Sequence, residues 1–92
     1  MKTKVYFVQS GKTGPIKIGI SRNIEKRLET MQTGNPNLLR LLFCIEADSR
    51  GHAREIECWL HRRFKSQHIR GEWFSGNIKL SRLKGYSVGE KG

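Results

Sequence analysis

The sequence predicts an α+β domain, a three-stranded antiparallel sheet with two main helices and a short C-terminal one packed onto it. Apolar residues alternate at period two through the first twenty positions, and a continuous apolar run fills 38–47. Two further stretches repeat apolar residues at helical spacing, so strands and helices are both signalled by period rather than by propensity.

Val5 and Phe7 on one strand and Ile16, Ile18 and Ile20 on the next must share a buried face. Pairing Val5 with Ile20, Phe7 with Ile18 and Gln9 with Ile16 achieves this and leaves Gly11, Lys12, Thr13 and Gly14 as the turn. The opposite face, expected toward solvent, then carries Tyr6, Val8, Lys17 and Gly19, with Tyr6 across from Gly19 and diagonal to Lys17. Ser21 or Asn23 can cap a helix running to about Thr33, with Ile24, Leu28 and Met31 as its stripe; Gly34 and Asn35-Pro36 end it. The third strand spans 38–47, with Leu39, Leu41, Phe43 and Ile45 expected on one face. Asp48 or Ser49 opens a second helix to about Lys65, with Ala53, Ile56, Leu60 and Phe64 along one side. A loop, SQHIRGEWF, follows, and Asn77 can cap a short final helix carrying Leu80 and Leu83; the end, 87–92, is expected to fray.

Ninety-two residues suit one small domain. Eighteen Lys and Arg against eight Asp and Glu leave a net charge of +10, which works against compactness and favours a polyanionic partner, with DNA as the leading candidate. Arg22, Lys26, Arg54 and Arg62 fall on helix faces expected to be exposed and are the candidate DNA contacts. Cys44 and Cys58 lack the close Cys/His pairing of a zinc site and are too few for a disulfide scaffold, as expected of reduced thiols in a cytosolic protein. The N-terminal stretch lacks the apolar core of a signal peptide, and no run is long enough to span a bilayer, so no membrane association is expected.

Four polar residues stand out on these elements: Tyr6, Lys17, Arg27 and Glu57. A cation beside a phenol favours the phenolate, so Lys17 is expected to lower the pKa of Tyr6 and make it a better base. Arg27, at the edge of its helix stripe, can reach over the sheet and donate two hydrogen bonds to a phosphate. Glu57 and His61 are four apart and therefore neighbours on their helix; His61 is either an active-site residue or a surface partner of Glu57. A phenol, two cations and a carboxylate form a kit for phosphodiester hydrolysis.

The succession VYFV, IKIG, an arginine ten residues after Lys17, E-x-x-LH-x-x-F and GEWF resembles the GIY-YIG nuclease superfamily, in its small phage and bacterial branch, over about residues 4–75. The resemblance implies that Tyr6 is the general base, that Arg27 is the phosphate-binding arginine and that Glu57, rather than nearby Glu55, binds a single divalent cation, Mg²⁺ or Mn²⁺. One carboxylate completed by phosphate oxygens and water is chemistry that suits Mg²⁺. It further implies a 5′-phosphate and a 3′-hydroxyl as products, and target specificity supplied by an attached module or a protein partner. Lys17 stands where the family name motif has its second tyrosine, a replacement shared with some restriction-enzyme members. Gly19 is retained from that motif, and Asn77 is the nearest candidate for the asparagine that many members carry in the active site. The alternatives are an inactive nucleic-acid-binding module of the same fold and a basic RNA-binding adaptor indifferent to chelation.

Overall fold

The computed structural model describes residues 2–78 and 80. Strand β1 (Thr3–Ser10) pairs antiparallel with β2 (Ile16–Ser21), and β3 (Leu39–Ala47) pairs with the other edge of β1. Helix α1 (Ile24–Thr33) connects β2 to β3, and α2 (Arg50–Arg63) follows β3. The β1–β2 register matches the alternation: Val5 faces Ile20, Tyr6 faces Gly19, Phe7 faces Ile18 and Gln9 faces Ile16. The fold is α+β, but the sheet has five strands rather than three, in the order β3-β1-β2-β5-β4.

The two additional strands come from the segment expected to be a loop. A single 3₁₀ turn at Lys65–Gln67 leads into β4 (His68–Arg70), which pairs with β5 (Trp73–Phe74); β5 in turn pairs with Ile16 and Lys17 of β2. Gly71 has a φ of 54°, the left-handed conformation that lets the chain reverse between Arg70 and Trp73. Burial of Phe74, fully inaccessible in the core, holds the hairpin against the sheet.

Each helix takes one face of the sheet. Ala53, Ile56 and Leu60 of α2, with Phe64 at its end, pack against Val5, Phe7, Ile18, Ile45 and Phe74. On the reverse face Ile24, Leu28 and Met31 of α1 cover a smaller cluster of Tyr6, Val8, Leu39 and Cys44. Tyr6, expected to face solvent, is therefore 1% exposed. The expected single apolar face of β3 is also divided. A bulge opposite Phe7 and Val8 makes Leu41 the partner of Val8 and Phe43 the partner of Phe7, with Leu42 as the extra residue. Leu39 and Leu41 then serve the α1 cluster, while Phe43 and Ile45 serve the α2 core, where the Phe7 and Phe43 rings stack 4.3 Å apart.

Both caps resolve to one of their alternatives. Asn23 accepts from the Lys26 N–H at 3.1 Å, and Ser49 accepts from the His52 N–H at 3.1 Å. Helix α2 ends in Arg62 and Arg63, cations where the helix dipole favours them. Cys44 is buried and Cys58 is exposed, so only one thiol serves packing. The expected final helix and frayed end lie outside the described residues.

Candidate active site

The polar groups converge on Gly19, in β2. A Cβ at this position would lie 2.5 Å from the Tyr6 Oη and 3.0 Å from Glu72 Oε1, so the bare backbone is what admits the phenol and the carboxylate together. Tyr6 reaches it from β1 on the α1 face. Glu72 reaches it from the β4–β5 turn, fixed there by its carbonyl, which accepts from the Ile18 N–H at 3.0 Å. Arg27 extends from α1 to the Tyr6 phenol, its hydrogen-bond partner. From the other face α2 brings Glu57 and His61 to the same strand edge, where Glu57 meets Glu72.

His61 occupies a position that the sheet leaves open. The β2–β5 ladder stops at the Ile18 N–H, and the Ile18 carbonyl accepts from His61 Nε2 at 3.4 Å instead. The imidazole sits edge-on to Phe74, and Nε2 lies 3.9 Å from Glu57 Oε2. His61 thus has a structural post beside Glu57.

Charge in the site is arranged differently from the expectation for Lys17. Its ammonium lies 3.6 Å from Glu72 Oε1 and 5.6 Å over the Trp73 ring, while the cation at the phenol is Arg27. The Tyr6 pKa is raised above that of an ordinary tyrosine. Burial is the main cause, Arg27 opposes it, and the charges of Glu72 and Glu57 add to it. The Glu57 pKa is pushed up to about 7, first by burial and then by the charge and hydrogen bond of Glu72, against smaller opposing effects of Arg54 and Lys17.

Glu57 and Glu72 form a carboxylate pair whose repulsion is only partly offset by Lys17, 3.6 Å from Glu72 Oε1, and by Arg54. Glu57 Oε2 is buried without a hydrogen-bond partner, a costly position for an anionic oxygen. A divalent cation between the two carboxylates would answer both the repulsion and the orphaned oxygen. Among the described residues no group of three or more His, Cys, Asp or Glu side chains could hold a metal. Two carboxylates are too few for a closed zinc-type site; such a pair suits only a hard cation that would keep water and phosphate oxygens as its remaining ligands.

Two clefts flank this centre. One, of about 330 Å³, is lined by Glu57, Glu72, His61, Cys58 and Arg62. The other, of about 520 Å³, is lined by Arg22, Lys26, Arg27 and Arg50 together with Ile20, Ser21, Asn23 and Thr30. Arg22 and Lys26 thus share a cleft with Arg27, Arg62 borders the acidic cleft, and Arg54 acts on Glu57 from an exposed position on α2. Asn77 is engaged with Ser75 beyond β5 and is not among these convergent groups. Two residues of the centre and its flanking basic cleft were missed from sequence: Glu72, within the GEWF motif, and Arg50, the first residue of α2. The signal for Glu72 was the motif itself; Arg50 had none.

Among the described residues no helix is long and apolar enough to cross a membrane. No curated protein and no solved structure matches the chain. The T5orf172 domain matches residues 3–85, and this chain belongs to the T5orf172 domain family.

Proposed function

We propose that this chain is a divalent-metal-dependent endonuclease of the GIY-YIG type that hydrolyses DNA. The observation that carries the reading is the convergence on Gly19 of the Tyr6 phenol and the Glu72 carboxylate, with Arg27 at the phenol and Glu57 at the carboxylate. The family match and the +10 charge support a nuclease or DNA-binding role.

In the proposed reaction a water oxygen attacks phosphorus, its proton passes to the Tyr6 phenolate oxygen, and the bond from phosphorus to the 3′-oxygen breaks. The leaving oxygen then takes a proton from solvent, giving a 3′-hydroxyl and a 5′-phosphate. Arg27 holds the non-bridging oxygens and stabilises the charge that grows on them. Glu57 and Glu72 would hold Mg²⁺ or Mn²⁺, which supplies charge stabilisation at the leaving oxygen. Neutralising these carboxylates also removes two of the influences that raise the Tyr6 pKa, leaving burial opposed by Arg27. Lys17 acts on Glu72, and His61 positions Glu57 from the end of the β2–β5 ladder.

A second reading, an inactive DNA-binding module of the same fold, is favoured by the burial that keeps Tyr6 a phenol in the free protein. Supercoiled plasmid incubated with the protein and Mg²⁺ or Mn²⁺ separates the two. Relaxation or linearisation that requires the metal and is lost in Glu57→Gln but kept in Glu55→Gln is the expected result. Folded, DNA-bound protein that cuts no duplex, branched or single-stranded DNA would leave the second reading standing.

A further inference from the structure

We infer that the basic cleft beside Arg27 takes up the backbone phosphates on the 3′ side of the scissile phosphate, so that the substrate strand has one permitted polarity across the site. This rests on the nuclease reading above. Arg22, Lys26 and Arg50 reach the cleft from the end of β2 and from two different helices, and no carboxylate lines it. Among the described residues none of the three is ion-paired, so their charges are available to a polyanion.

Strand β2 acts as a ruler between the two clefts. His61 and Glu72 meet it at Ile18, Tyr6 crosses it at Gly19, and Ile20 and Ser21 open into the basic cleft. Alongside, α2 carries Arg50 and Glu57 seven residues apart, a separation of roughly 10 Å at the helical rise. A strand whose scissile phosphate lies beside Tyr6 therefore sets roughly one or two further phosphates over the cleft, given a rise of ~3.4 Å per nucleotide.

Polarity follows from in-line displacement. Water attacks from the phenol side, so the 3′-oxygen departs on the opposite side, toward Glu57 and Glu72, and the nucleotides 5′ of the cut leave with it. The 3′ flank stays attached through the equatorial 5′-oxygen, beside the non-bridging oxygens held by Arg27, and so continues toward the basic cleft. With this polarity the two flanks contribute unequally to affinity, since phosphates of the 3′ flank meet cations whereas those of the 5′ flank meet the carboxylate pair.

The test uses the full chain. The cut site is mapped on a duplex, and methylphosphonate linkages, which carry no charge, are placed at the two positions 3′ or 5′ of it; binding is measured without divalent metal. Neutral 3′ linkages should weaken wild-type binding roughly tenfold or more at ~0.1 M salt, with much less loss from the 5′ pair. In the Lys26→Ala/Arg50→Ala variant the log–log salt slope should fall by about 1.8, and the penalty from the 3′ linkages should shrink. Lys26→Arg/Arg50→Lys, which keeps the charges, should restore the slope and shows that folding is not the cause. Lys12→Ala, at the far turn of the first hairpin, should leave the 3′ penalty intact. A larger penalty from the 5′ linkages, or an unchanged slope in the double alanine variant, overturns this inference while plasmid cleavage by the wild type keeps the nuclease reading. Absence of any cut overturns both.

Discussion

Gly19 is where the proposed chemistry depends on an absent side chain. With a Cβ position only 2.5 Å from Tyr6 Oη, a Gly19→Ala change must displace the phenol or the strand. Cleavage should fall at least ~100-fold, with a stability loss of about 1–3 kcal/mol, as for other overpacked sites. Cleavage at the wild-type rate would mean that the phenol need not lie across this residue. The carboxylate pair makes a second prediction at this scale. Because the Glu57 pKa rises from the ordinary carboxylate range to about 7 in the folded chain, the folded state binds the extra proton between these values, and stability falls as pH rises through that window. Glu57→Gln should flatten this fall in thermal melts. Mg²⁺ should raise the wild-type melting temperature at pH 8 more than at pH 5, and the variant little at either. Equal Mg²⁺ effects in both proteins would place the cation elsewhere. Tyr6 opposite Gly19 was legible because period two admits one register. Lys17 was misread because backbone register does not choose among partners for a long side chain, and its ammonium goes to Glu72 and Trp73. Tyr6 was misread as solvent-facing because an amphipathic α1 does not declare which face of the sheet it will cover.

The hairpin of β4 and β5 is the element that completes the site. Its six residues from His68 to Trp73 are half polar and mostly exposed, so neither period nor hydrophobicity marked them as strands. What holds them is a tertiary contact: Phe74 enters the α2 core, and the turn with its left-handed Gly71 then delivers Glu72 to the edge of β2. Phe74→Ala should therefore cost about 3–5 kcal/mol in urea unfolding. In protein that still folds, it should also weaken the pH dependence ascribed to Glu57, since Glu72 would lose its seat. A melt shifted without any change in that dependence would separate Glu72 from the hairpin. The bulge in β3 was likewise illegible, because an unbroken run of apolar residues reads equally well in either alternation phase. The caps were legible to within two residues, since Asn23 and Ser49 have the side chains that orphaned N–H groups require.

On the scale of the whole molecule, the +10 charge acts on fold and binding in opposite directions. A 92-residue chain has a limited core, so repulsion among eighteen cations is a substantial burden on a marginal stability. Salt screens that repulsion over a Debye length of ~10 Å at 0.1 M, and the melting temperature of the free protein should rise between about 0.02 and 0.2 M NaCl. Over the same interval DNA affinity should collapse, because each phosphate contact contributes a log–log slope near −0.9. The two trends should cross in a melt recorded with saturating duplex, where DNA stabilises the fold strongly at low salt and little at high salt. Calorimetric melts of free and DNA-bound protein across this range make the comparison directly. A free-protein melting temperature that falls with salt would show that the charges are already balanced by ion pairs. A DNA-induced stabilisation that ignores salt would show that the basic surface is not what meets the nucleic acid, and would remove the electrostatic ground for substrate capture by this small domain.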